Sequence, residues 1–122
     1  MAKVTLDAIR QPVGDSGLET GSVDLGSMSV LSHRWPAGFD AKDMLSAAFG
    51  PLCCPVPHHF IVTKGHIEVA YTMDGTSEQA KAGDVVYARP GHTVRAIEAS
   101  DVVEVSPIDG TAYIGARLAA LG

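Results

Sequence analysis

Between His59 and Ser106 the chain carries five short runs rich in β-branched and aromatic residues: HFIVT, HIEVAYT, DVVYA, TVRAI and DVVEVS. They are separated by KG, MDGTSEQAKAG, RPGH and EAS, breaks made of the glycine, proline and small polar residues that end strands. Strands this short, joined by turns this short, predict an antiparallel meander closed into a sandwich or small barrel. The 122 residues suffice for a single domain, residues 1–122, with one core. With 46% apolar and 19% charged residues, 13 glycines and 7 prolines, the chain is globular and turn-rich, and little helix is expected.

Upstream of the β-rich region the signals are weaker. Residues 1–22 mix Gly, Ser, Asp and Thr with short apolar runs and read as an arm or edge strand, a kind of segment that often pairs across a dimer. SVDLGSMSVLSHRWPAG alternates from Ser22 to Trp35 and gives one or two strands, ended by Pro36 and Gly38. AKDMLSAAFG places Met44, Leu45, Ala48 and Phe49 at helical spacing behind Asp40 as N-cap, with Gly50 and Pro51 as the stop: one short helix. The C-terminal TAYIGARLAALG reads as a last strand running into a frayed tail.

Nine Lys plus Arg stand against 14 Asp plus Glu, a net charge of −5, and the basic residues are scattered, so no nucleic-acid footprint is present. No targeting segment and no long apolar run is evident, so a cytoplasmic protein without a membrane partner is expected. Cys53 and Cys54 are sequence neighbours, a spacing that strains disulfide geometry, and both are expected as free thiols.

Residues 50–106 resemble the two motifs of the cupin superfamily. In those proteins the first motif carries two histidines, then a glutamate, with a glycine seven residues beyond it. Aligned on Gly65, the glutamate position holds His58, the second histidine position holds Cys54, and the first holds Leu52, which cannot ligate. The second motif opens here with Gly83-Asp84 and turns at Arg89-Pro90-Gly91. Its histidine position holds Val94, with His92 two residues earlier and on the same side of an ideal strand. A group of small single-domain cupins with C-x-x-x-H and P-G-H signatures is similar. The resemblance implies an all-β, cupin-type antiparallel barrel, or jelly roll, with a short helix before the first motif.

A small barrel leaves room inside for one small ligand, so inward polar side chains are the candidates for chemistry. Cys54, His58 and His92 supply one thiolate and two imidazoles, a set suited to a divalent transition metal (Zn, Fe, Ni or Mn), with a position open for water or substrate. Without a metal, His58 and His92 become the catalytic acid and base. Trp35, Phe60 and Tyr87 are expected as pocket walls, with His33 sharing the face of Trp35 and with Arg89 available to grip a carboxylate. His59, His66 and Glu68 are expected on the outer face.

Two functions follow. One is a metal- or histidine-assisted enzyme, a dioxygenase, isomerase or lyase, acting on a small anionic or aromatic molecule. The other is a metal-free module that binds or senses a small ligand. Exposed strand edges and the polar arm lead us to expect a homodimer. Light scattering is expected to give twice the chain mass, and a value near 12.7 kDa overturns the dimer.

Overall fold

The computed structural model describes residues 3–121. The chain begins with α1 (Leu6–Ile9), β1 (Gln11–Pro12), β2 (Glu19–Leu25) and β3 (Met28–Trp35), followed by α2 (Lys42–Phe49). Then come β4 (His58–Lys64), β5 (His66–Tyr71), β6 (Ser77–Lys81), β7 (Val85–Ala88), β8 (His92–Ala96), β9 (Ser100–Pro107) and α3 (Ile108–Ala119). Every pairing within these two sheets is antiparallel. One sheet has six strands, in the order β1-β2-β3-β9-β4-β7, and the other has three, in the order β6-β5-β8. Their inner faces enclose a core that includes Trp35, Phe60, Val62, Ile67, Val69, Val94 and Val102. This is the all-β jelly roll expected.

The connectivity is not the meander that short turns suggest. β4 and β5 are consecutive, yet they lie in different sheets, β4 between β9 and β7 and β5 between β6 and β8. The corner between them is made by Gly65, at φ 90°, where an added Cβ would lie 2.3 Å from Ser100 Oγ and 2.4 Å from the Ala99 carbonyl oxygen. Just before it, the pairing of β4 with β9 shifts register between Val62 and Lys64, which bends the strand. A single residue between the two strands therefore turns the chain out of one sheet and into the other.

Two expectations need correction at the ends of the chain. The C-terminal segment is a helix of 12 residues, not a strand. Its Ala, Leu and Arg content and the spacing of Thr111, Ile114 and Leu118 favour a helix laid against the barrel. Arg117 fastens it to α2, donating from Nε (3.0 Å) and Nη2 (2.6 Å) to the Ala48 carbonyl oxygen. With α1, that makes three helices where one was expected. The N-terminal arm supplies the edge strand expected of it: β1 and β2 edge the large sheet, and Arg10 bonds Ser32 Oγ from Nη1 at 3.1 Å. Residues 1 and 2 of that arm lie outside the described residues.

The helix before the first motif stands as α2. It starts at Lys42, one residue beyond the expected N-terminus, and Asp40 Oδ1 still accepts the Lys42 N–H at 2.9 Å. Among the described residues no helix is long and apolar enough to cross a membrane.

The corner at Gly65 gives a direct test. Gly65→Ala must move backbone on β9 and is expected to lose roughly 3 kcal/mol or more in urea unfolding. Gly75, at φ 70° with nothing within 4 Å of an added Cβ, is the control, and Gly75→Ala should cost about 1 kcal/mol.

Candidate functional site

The segment between α2 and β4 brings the first candidate ligand to the barrel. Gly50, at φ 90°, and Cys53, at φ 62°, turn the chain back on itself after α2. Cys54 then forms an isolated antiparallel bridge with His92. Its N–H donates to the His92 carbonyl at 2.9 Å and its carbonyl accepts from the Gly91 N–H at 2.7 Å. Residues directly opposite in such a bridge project their side chains to the same side, so this pairing places the Cys54 thiol beside the His92 ring. Cys53 points elsewhere, its sulfur 3.6 Å from Ser46 Oγ, and both cysteines are free.

His58 opens β4, and it shares the inner face of that strand with Phe60 and Val62. Its Nε2 lies 3.3 Å from Cys54 Sγ, and its ring centroid is 5.0 Å from that of His92. One ligating atom each from Cys54, His58 and His92 lies within 4.8 Å of the others, and all three residues are buried. His92 therefore keeps the parity expected of it.

The ring nitrogens are committed in a useful way. His92 Nδ1–H donates to the Arg89 carbonyl at 2.8 Å, which leaves the lone pair on Nε2 when the ring is neutral. His58 Nδ1 faces Ser106 Oγ and lies 3.1 Å from Glu104 Oε2, and Ser106 in turn donates to the same oxygen at 2.9 Å. A proton on His58 Nδ1 satisfies both acceptors and leaves its Nε2 lone pair facing the thiol.

Glu104 is the member of the site that sequence reasoning missed. It sits on β9 opposite Leu31 on one side and Phe60 on the other, and it reaches diagonally to His33 and His58. His33 Nε2 is 2.8 Å from Oε1, and His33 Nδ1 is 2.8 Å from Thr20 Oγ1. A continuous polar chain thus runs from Thr20 on β2 through His33, Glu104 and His58 to Cys54.

Burial dominates the electrostatics. It pushes the Cys54 thiol up to about 11, against which the Val56 carbonyl contact has little effect. It lowers His58, and it lowers His92 to about 4. Burial also opposes ionisation of Glu104, but the hydrogen bond and charge of His33, the charge of His58 and the Ser106 hydroxyl together hold its carboxyl well below the usual range. Burial thus disfavours a free thiolate at Cys54.

These groups form one side of a cavity of about 440 Å³. Trp35 and Phe60 line it as expected, with Phe39, Leu31, Leu45 and Val94, and α3 closes over it through Thr111, Ile114 and Leu118. Tyr87 and Arg89 do not line it. Val86 and Ala88 take the inner positions of β7, which turns Tyr87 outward, 51% exposed, against His59. Arg89 lies on the outer surface with its guanidinium 3.8 Å above the Tyr71 ring and 2.9 Å from Asp74 Oδ2. Leu52 is also exposed and outside the cavity.

No protein-family model and no curated protein matches the chain. Solved structures do. An RmlC-like cupin from Shewanella frigidimarina NCIMB 400 aligns at TM-score 0.56 and 13% identity, covering 80% of this chain and 81% of that one. KdgF from Halomonas aligns at TM-score 0.57 and 17% identity, covering 88% and 94%. A structural-genomics protein of unknown function from Rhizobium leguminosarum gives TM-score 0.59 at 22% identity over 88% and 96%. The chain has the cupin fold.

Within that cupin frame the donor set fits a metal. The edge of a tetrahedron with bonds of about 2.0–2.3 Å is about 3.5 Å, so the Cys54–His58 separation already suits it and a movement of about 1 Å would close the remainder. Both imidazoles offer Nε2 with Nδ1 held by a hydrogen-bond partner, the arrangement that orients histidine ligands.

In metal-free protein the same burial predicts a pH dependence. Below about pH 6.5 the unfolded chain takes up protons at residues 58 and 92 that the folded chain refuses, down to about 4 at His92. Stability from His92 is thus fully present above 6.5 and is lost as pH falls towards 4, roughly 3 kcal/mol in all. Urea unfolding of chelator-treated protein should show this decline, and His92→Asn, which keeps a donor for the Arg89 carbonyl, should flatten it. An unchanged slope in the variant would show that His92 is not held neutral.

Proposed function

We propose that the protein is a small metal-dependent cupin that binds one small organic molecule in its barrel. Cys54, His58 and His92 hold the metal and leave an open position towards the cavity. The observation that carries this reading is the convergence of two imidazole Nε2 lone pairs on a buried thiol beside a cavity large enough for a ligand. Mixed thiolate and imidazole donors select zinc or a similar borderline ion. Such an ion, when bound, supplies Lewis-acid polarisation of an oxygen on the substrate or on water.

The protein's own residues have separable tasks. Ser106 and Glu104 fix the proton of His58 on Nδ1, and the Arg89 carbonyl does the same for His92. Leu31, Leu45, Val94 and Ile114 exclude water from the ligand. Glu104 with His33 forms a buried carboxylate–imidazole pair, Oε1 to Nε2 at 2.8 Å, that lines the cavity without involving a ligating nitrogen. A three-ligand site with an open position is catalytic in type, which favours an enzyme over a passive binding module.

Elemental analysis of protein purified without chelator is the test. About one equivalent of zinc or another transition metal is expected, and less than about a tenth of an equivalent of any would overturn the reading. His58→Ala and Cys54→Ala should each reduce occupancy by tenfold or more, while Leu52→Ala, outside the cavity, should leave it unchanged.

A further inference from the structure

The chemistry of the ligand is written in the charges that reach the cavity and in those that do not. Among the described residues no lysine or arginine lines it. Arg89 is committed to Tyr71 and Asp74 on the outer surface, Arg117 to Ala48, and Arg95 to Glu68 at 2.8 Å. The one carboxylate that does line the cavity is Glu104. A buried carboxylate or phosphate on a ligand would therefore meet no lysine or arginine and would lie near the Glu104 carboxylate, which is costly at low dielectric.

Glu104 also has capacity to spare. A carboxylate presents about four acceptor positions. His33 takes one on Oε1, while Ser106 and His58 both approach Oε2, so Oε1 has one side-chain partner and Oε2 two. His33 stacks on Trp35 at 5.3 Å, Trp35 stacks on Phe39 at 5.4 Å, and Phe60 meets Trp35 edge-on at 6.0 Å, so these groups form a continuous aromatic wall. That wall is largely apolar, and Glu104 lines the cavity beside it.

We infer that the metal-free cavity takes a small apolar, ring-sized molecule bearing a hydrogen-bond donor, a hydroxyl or an ammonium, directed at Glu104 Oε1, and that it rejects the corresponding acid. This narrows the earlier expectation of an anionic or aromatic substrate to its aromatic half. It rests on the small-molecule part of the proposed function and not on the metal. Trp35 is the only tryptophan and lies in the wall, so its fluorescence reports occupancy directly.

The experiment is a fluorescence titration of as-purified and of chelator-treated protein with benzyl alcohol, benzylamine and benzoate, which share a ring and differ in head group. In chelator-treated protein at least one of the first two is expected to bind tenfold or more tighter than benzoate. Benzoate binding within tenfold of both, or no response of Trp35 to any of the three at about 10 mM, overturns the inference. Folded Glu104→Gln, checked by circular dichroism, should narrow the gap to about threefold, and a gap retained in full removes Glu104 as its cause. Because the decisive titration is made without metal, its failure is distinguishable from a missing metal in the elemental analysis.

Discussion

A buried carboxylate needs partners, and here they come from three strands. Glu104 on β9 is held by His33 on β3, by His58 on β4 and by Ser106 two residues along its own strand. Removing a partner would leave an uncompensated charge inside the barrel, which costs several kcal/mol, so the register of the three central strands and the identity of these side chains constrain one another. The ligand geometry descends from this constraint. His58 can offer Nε2 to the cavity only because Nδ1 is already engaged behind it.

The comparison with the usual cupin motifs becomes physical at this point. Where those proteins carry a glutamate as a metal ligand this chain has His58, and its carboxylate stands behind that imidazole, on another strand. The cavity side keeps a histidine-and-thiol set, softer than a carboxylate-containing one and better matched to zinc. The cost of burying the acid is offset by His33, which sequence reading treated only as a neighbour of Trp35.

Much of this was legible in the sequence. Strand content and the helix before the first motif followed from run lengths and turn residues, the jelly roll from the resemblance to cupin motifs, and His92 could be placed inside by counting two residues back from Val94. Glu104 was hidden because both faces of β9 are buried: Val103 and Glu104 are each 8% exposed, so alternation does not mark the inner face. Tyr87 was misplaced for a related reason, since the four residues of β7 are apolar on both sides and parity alone cannot choose between them. The connectivity was hidden at Gly65, because a glycine that makes a hairpin and a glycine that makes a corner look alike until the strand it touches is known. The C-terminal helix was missed because its two glycines outweighed, in a local reading, the apolar spacing that packs it on the barrel.

The attachment of that helix has a consequence of its own. α3 contributes Thr111, Ile114 and Leu118 to the cavity but none of the metal-set residues, and it is linked to α2 by the Arg117–Ala48 carbonyl bonds and by the Phe49–Tyr113 ring pair at 5.7 Å. The candidate donor set and part of the cavity wall are therefore supplied by separate parts of the chain, the former by β4, β8 and the segment before β4, the latter in part by α3. Such an arrangement lets the shape of the cavity drift through changes in α3 while the donor set stays intact, a modularity that the barrel alone would not provide.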